Sequence, residues 1–162
     1  SVAGFSHFTL LLVHALREQF SRVRVFAFID TTDEVTRFFD SGSDLGAAMS
    51  RMIREADLVG YDGHSDYGHA LGVFAERFAD SVTARSSLLI LGDARNNYRD
   101  PNTAALAYLA SVARHAHWLN PEPVGQWGTG DSAAHVYREL VSMHECRSAQ
   151  QLAAVVAGLL PV

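Results

Sequence analysis

The chain predicts an α/β protein: a mostly parallel sheet, helices on both faces, and an antiparallel pair at one edge. Three observations predict this. Segments with helical apolar spacing alternate along the chain with short β-rich segments. Two of the β-rich segments, Arg22–Asp30 (RVRVFAFID) and Ser86–Asp93 (SSLLILGD), are continuously apolar over much of their length, as strands covered on both faces are. Glu34–Phe39 (EVTRFF) follows the first of these too closely for a helical crossover, which leaves an antiparallel hairpin.

Phe5, Phe8, Leu12 and Leu16 repeat at helical spacing and predict an amphipathic helix over about residues 4–20. The strand Arg22–Asp30 comes next, then a turn around Thr31–Asp33 and the short strand Glu34–Phe39. Leu45, Met49, Met52 and Ile53 mark a helix that starts near Ser43, followed by a loop with Gly60, Gly63 and Gly68. Tyr67, Leu71, Phe74 and Phe78 carry a further helix. Ser86–Asp93 is the clearest buried strand, ended by an acid and a polar loop. Leu106, Leu109 and Val112 define a helix after Pro101, and His115–Pro121 (HAHWLNP) is a strand stopped by proline. Val136, Tyr137, Leu140 and Val141 predict another helix, with Asp131 or Ser132 as its cap. A short edge strand near His144–Arg147 leads into a last helix with Leu152, Val155 and Leu159. No repeat, low-complexity tract or linker interrupts residues 1–162, which read as a single domain.

The formal net charge is −5, with thirteen arginines and no lysine. A mildly acidic domain without a basic run is a poor partner for nucleic acid. The single cysteine, Cys146, excludes an internal disulfide and fits a reducing compartment. No apolar run is long enough to span a bilayer, and no signal peptide is visible. A cytoplasmic location without membrane contact is the expectation.

In open α/β sheets the site lies beyond the carboxyl ends of the strands. Three polar segments should converge there: the loop around Ser65 in VGYDGHSDYGHAL (Val59–Leu71), the loop after Asp93, and the residues before the first helix. Ser65 admits three roles. As a nucleophile it would need the Gly-x-Ser-x-Gly elbow between a buried strand and a helix. Gly63, His64 and Ser65 fit the first half, but the next glycine is one residue late and a polar loop precedes it. Asp93 with His115 or His117 would complete a Ser, Asp, His order that eight histidines make easy to find. As a cap, Ser65 would begin the helix at Asp66. As a metal ligand, its hydroxyl would join an Asp93 carboxylate and a Ser1 hydroxyl around a hard cation such as Mg²⁺.

The third role brings a resemblance. The chain resembles a von Willebrand factor A (VWA) domain, specifically the bacterial CoxE-like group. That family's metal-ion-dependent adhesion site (MIDAS) uses Asp-x-Ser-x-Ser after the first strand, a Thr in a Gly-rich loop, and an Asp ending a later strand. GHSDYGHAL (Gly63–Leu71) matches the Gly-rich loop with Ser65 in place of Thr, which keeps the hydroxyl. LILGDARNNY (Leu89–Tyr98) matches the later segment and places Asp93 as its ligand, with Gly92 and Ala94 where Ser and Gly are usual. Val23–Phe39 and His117–Pro121 are also similar, so the resemblance covers almost the whole chain.

The resemblance implies a three-layer, Rossmann-like VWA fold and a metal site of Ser1, Ser65 and Asp93, with Asp30, His64, Asp66 and Asn96 in support or at the rim. It implies a protein partner whose acidic side chain completes the coordination of Mg²⁺ or Mn²⁺, and no catalysis. It further implies work with a MoxR-type AAA+ ATPase on the maturation of a molybdenum enzyme. A serine hydrolase using Ser65 and a metal-free interaction module are the alternatives. SVAGFSHF begins where Asp-x-Ser-x-Ser would end, so Ser1 matches the last serine, and the acid, the first serine and the first central strand are missing from this sequence. The expectation is therefore a domain truncated at its N-terminus, whose full-length parent binds the cation and which itself binds it weakly or not at all.

Other constellations carry less. No His-Glu-x-x-His, cysteine pair or Walker loop is present. His115 and His117 should share one strand face as surface or hydrogen-bonded residues. Trp118 should be buried in its strand, and Trp127 sits in a Gly-rich loop, where it could pack locally or meet a partner.

Overall fold

The computed structural model describes residues 2–39, 44–60 and 63–159. Ser1, Ser43 and the side chains of Phe5, Phe8, Leu45 and Leu159 lie outside the described residues.

The core of the fold is a parallel sheet of β3 (Ser87–Leu91), β4 (His115–Asn120) and β5 (Ser142–Glu145), with β4 in the centre. Leu91 pairs with Leu119 and Asn120 with Glu145, so the carboxyl ends of all three strands lie along one edge. Period-two alternation then sends side chains to two faces. Leu88, Ile90, Ala116, Trp118 and Met143 pack on one face against α3 (Tyr67–Arg77), α4 (Thr103–Val112) and α5 (Ala134–Tyr137). Leu89, Leu91, Leu119 and Cys146 pack on the other face against Leu12 and Leu16 of α1 (Val2–Gln19) and Leu152, Val155 and Val156 of α6 (Ala149–Leu159). Helices thus cover both faces, as the apolar runs required.

A second, antiparallel sheet joins β1 (Phe26–Phe28) to β2 (Thr32–Glu34). Phe26 and Phe28 turn toward the main core, where Phe26 meets Phe74 edge-on with ring centres 4.8 Å apart. Ala27 turns the opposite way, toward a small cluster of Val35, Phe38 and Met52, the last from α2 (Leu45–Glu55). Among the described residues, β1 pairs only with β2 and β3 only with β4.

Several elements differ from the sequence expectation. β1 is confined to Phe26–Phe28 of the expected Arg22–Asp30. The second strand lies earlier, at Thr32–Glu34, and Thr36–Phe39 is a turn of 3₁₀ helix. The cause is Thr36, whose hydroxyl accepts the Val25 N–H at 2.9 Å and donates to Glu34 at 2.8 Å, a side-chain substitute for the next rung of the ladder. The helix expected at Val136–Val141 is the four-residue α5, and the chain turns through Arg138–Val141 into β5 at Ser142. β3 is half-buried throughout its apolar length, whereas Trp118, Leu119 and Asn120 of β4 are fully buried. β4, with a neighbour on each side, is the true centre. α2 begins at Leu45 behind the cap Asp44, whose carboxylate accepts the Gly46 N–H at 3.1 Å. Trp127 packs locally: its indole N–H donates to the Glu122 carbonyl at 3.0 Å, and the Arg138 guanidinium lies 5.4 Å from its ring centre.

Candidate functional site

The polar loops meet at the carboxyl edge, and their backbones are tied by named side chains. Asp30, just past β1, is fully buried. Its carboxylate accepts the N–H groups of Gly60 and Gly63, and its carbonyl oxygen meets the His69 ring. A buried carboxylate is tolerable only with such donors. Gly60 and Gly63 suit the arrangement: a Cβ at Gly60 would lie 3.3 Å from Asp30, and Gly63 has φ +76°. Asp30 therefore sets the course of the Gly-rich loop that carries Ser65.

His64 and Ser65 are exposed at the tip of that loop. Ser65 is not the helix cap. Asp66 caps α3, its side chain accepting the His69 N–H at 2.9 Å, while its own N–H donates to the Ile29 carbonyl at 3.0 Å. That bond to the residue just past β1 fixes where the helix starts. Asp66 also meets Arg99 at 3.4 Å.

The loop after β3 holds Asp93, half-buried. Its Oδ1 accepts the Arg95 N–H at 2.9 Å and the Tyr67 hydroxyl at 3.2 Å. Its Oδ2 has no hydrogen-bond partner among the described residues. Gly92 is required by the same contact, since a Cβ there would lie 2.3 Å from the Tyr67 hydroxyl. Burial, then the neighbouring Asp93 charge, push the Tyr67 phenol well above its ordinary range, so it remains a donor.

Asn96 is buried, in a supporting position. Its Oδ1 accepts the Tyr67 N–H at 2.6 Å, and its amide group donates to the Arg99 and Asp100 carbonyls. It binds the start of α3 to the loop that precedes α4.

Ala94, Asn97, Tyr98 and Asn102 have φ of 63°, 53°, 59° and 50°. Each non-glycine residue there costs on the order of 1 kcal/mol. The loop is held in this form by Arg95, which pairs with Glu122 through two hydrogen bonds and with Asp131 at 3.0 Å. The hydrogen bonds that Arg95 donates to Glu122 and Asp131 raise its guanidinium further above its usual range. For Asp131 burial works upward, and the Arg95 and Asn97 donors outweigh it and hold the carboxyl below its usual value. Asp131 thus serves the loop, and neither it nor Ser132 is the helix cap: the N-cap of α5 is Ala133, with no side-chain cap hydrogen bond, although the Ser132 hydroxyl accepts the Ala134 N–H at 3.3 Å. Tyr98 projects from this braced loop with 83% of its surface exposed.

Tyr67, Arg95, Glu122 and Asp131 are the site residues that sequence reading did not select. Tyr67 sits in an apolar helical repeat that reads as core, and the partners of Arg95 are 27 and 36 residues away. A depression of about 250 Å³, lined by Asp66, Gly68, His69, Asp100 and Asn102, flanks the loops.

Asp93 and Ser65 are donors of the type a hard cation takes. Among the described residues no group of three or more His, Cys, Asp or Glu residues converges to hold a metal. Ser1 lies outside the described residues. The hydrolase constellation does not form among the described residues. No strand leads into Ser65, Asp93 binds Tyr67 and Arg95, and His117 pairs with His144, its Nδ1 3.0 Å from the partner Nε2.

A layered α/β fold whose Gly-rich loop and strand-terminal aspartate meet at the sheet edge defines the class of VWA-type interaction domains. The model of the family described as "VWA domain containing CoxE-like protein" matches residues 1–155, and the chain belongs to that family. No curated protein and no solved structure matches the chain. VWA domains are typically interaction modules and commonly bind Mg²⁺ or Mn²⁺ through a MIDAS, so membership points to a metal-dependent interaction domain. No helix among the described residues is long and apolar enough to cross a membrane.

Proposed function

We propose that this domain binds a partner protein through a divalent cation, Mg²⁺ or Mn²⁺, held at the sheet edge by Asp93, Ser65 and Ser1. The partner contributes an acidic side chain to the cation, as the resemblance to VWA domains implies. The carrying observation is the state of Asp93: Oδ1 is occupied by two donors, and Oδ2 has no hydrogen-bond partner among the described residues. Asp30, Asp66 and Asn96 hold the loops, and His64 lies at the rim. On the same family resemblance, the partner is a MoxR-type AAA+ ATPase and the setting is maturation of a molybdenum enzyme in the cytoplasm.

Calorimetric titration of Mg²⁺ and Mn²⁺ tests this with the chain, an upstream-extended version, and the extended version carrying Asp93→Ala. Binding by the extended form that Asp93→Ala abolishes supports the proposal. Absence of binding by all three, each folded, removes the metal and leaves a metal-free interaction module. Labelling of Ser65 by a fluorophosphonate probe would instead favour the hydrolase.

A further inference from the structure

We infer that Tyr67 is a positioning residue: it holds Asp93 in a one-oxygen presentation and so determines which divalent cation the edge accepts. The inference rests on the metal reading above for its consequence, but not for its geometry.

A carboxylate at the end of a strand can rotate and offer a cation one oxygen or both. Here rotation is blocked from one side. The Tyr67 hydroxyl and the Arg95 N–H converge on the same oxygen, Oδ1, at 3.2 Å and 2.9 Å. Turning Oδ1 outward would break both bonds and leave a buried phenol without its acceptor, a costly state.

Tyr67 cannot follow such a rotation. Its ring packs against Phe28 with centres 5.0 Å apart and against Trp118 at 5.6 Å. Its N–H is bound to Asn96 at 2.6 Å, and α3 begins at this residue behind the Asp66 cap. The phenol fills the space beside Gly92, where a Cβ would come within 2.3 Å of the hydroxyl. The pair Gly92 and Tyr67 is thus one device: the absent side chain admits the hydroxyl that fixes the adjoining carboxylate.

A fixed one-oxygen ligand favours a small cation in octahedral geometry, such as Mg²⁺ or Mn²⁺. Ca²⁺ takes more oxygens and often a two-oxygen carboxylate. Tyr67 therefore acts against Ca²⁺ as well as for Mn²⁺.

The test compares Mn²⁺ and Ca²⁺ affinities of the full-length protein and its Tyr67→Phe variant, which keeps the ring and removes only the hydroxyl. The expected result is Mn²⁺ binding weakened roughly tenfold, the scale for removing a bond to a ligating group, with the preference for Mn²⁺ over Ca²⁺ reduced. An unchanged preference overturns the inference even if both affinities fall, since general loosening would lower both alike. If the unaltered protein binds neither cation, the metal reading fails and the cation consequence with it. The positioning claim is then read by NMR from the Tyr67 hydroxyl proton. A slowly exchanging resonance that shifts in Asp93→Asn upholds the contact, and a freely exchanging proton overturns it.

Discussion

The side-chain amide of Asn97 donates to the backbone carbonyl of Ser65 at 2.9 Å, joining two loops 32 residues apart. Asn97 also takes a left-handed conformation, φ 53°, which asparagine tolerates better than most residues. Its own N–H is bound to Asp131 at 3.1 Å. Asn97→Ala removes the bridge and leaves a less tolerant residue at positive φ. The expected loss of stability is about 1–2 kcal/mol, measured by urea denaturation. Asn97→Gly removes the same bridge without the conformational penalty. If both variants lose the same amount, backbone strain contributes nothing at this position.

Gly68 sets the distance between α3 and the segment before α4. A Cβ there would lie 1.9 Å from the Asp100 carbonyl oxygen and 3.0 Å from the carbonyl carbon of Pro101, both backbone atoms. Neither can give way without moving the loop that Asn96 and Asn102 hold. Gly68→Ala is expected to destabilise by about 3 kcal/mol or more. Gly46 in α2 is the control, since a Cβ there meets nothing closer than 3.7 Å. Gly46→Ala should stabilise by about 0.5–1 kcal/mol. A mild Gly68→Ala phenotype would show that the two segments separate easily.

The contrast between these positions also shows what was legible in the sequence. Periodicity located α3, α4 and β4 because their residues are selected by the core they face. It misplaced β2 because one hydroxyl, on Thr36, competes with the backbone ladder, and such competition leaves no periodic trace. The position of Asp93, just past an apolar strand, was readable from the sequence. The cap was not: Ser65 and Asp66 are adjacent capping residues, and the choice is made by the carbonyl of Ile29, 37 residues before Asp66 and just past β1. Tyr67 was hidden for the opposite reason. Its ring satisfies the apolar pattern so well that the hydroxyl, which serves Asp93, carries no separate signal. Asn96 read only as a supporting or rim residue, and its polar loop gave no sign that its side chain is consumed by three bonds within the fold.

On the far face of the sheet, His117 lies between His115 and His144, with ring centres 6.2 Å and 5.2 Å away. Burial, then the charges of His144 and His115, lower the His117 pKa. The folded value therefore lies below the value of about 6.5 for an unperturbed histidine. The unfolded chain binds more protons in this range, so stability rises with pH. The contribution is complete above about pH 6.5 and is lost as pH falls from there through the lowered folded value. His117→Gln should reduce the stability difference between about pH 7.5 and pH 5.5, measured by urea denaturation at each. An equal difference in variant and parent would assign the acid sensitivity to other groups.

Trp118 connects the core to the site through its bond to Gly92 and its ring contact with Tyr67. It is fully buried, its indole N–H donates to the Gly92 carbonyl at 2.8 Å, and its ring stacks on Tyr137 with centres 4.7 Å apart and planes 17° apart. Gly92 is the residue before Asp93, so this bond holds the backbone from which the carboxylate projects. Trp118→Phe keeps an aromatic ring but removes the donor and leaves a void. The two effects together should cost about 2–4 kcal/mol. Tyr137→Phe removes a hydroxyl that donates to the Pro101 carbonyl at 2.9 Å, away from Asp93, and should cost about 1 kcal/mol. The informative comparison is Mn²⁺ affinity in variants that remain folded. If the Gly92 bond positions Asp93, Trp118→Phe weakens Mn²⁺ binding and Tyr137→Phe does not. If both leave affinity unchanged, Asp93 is held from its side-chain end alone, by Tyr67 and the Arg95 N–H.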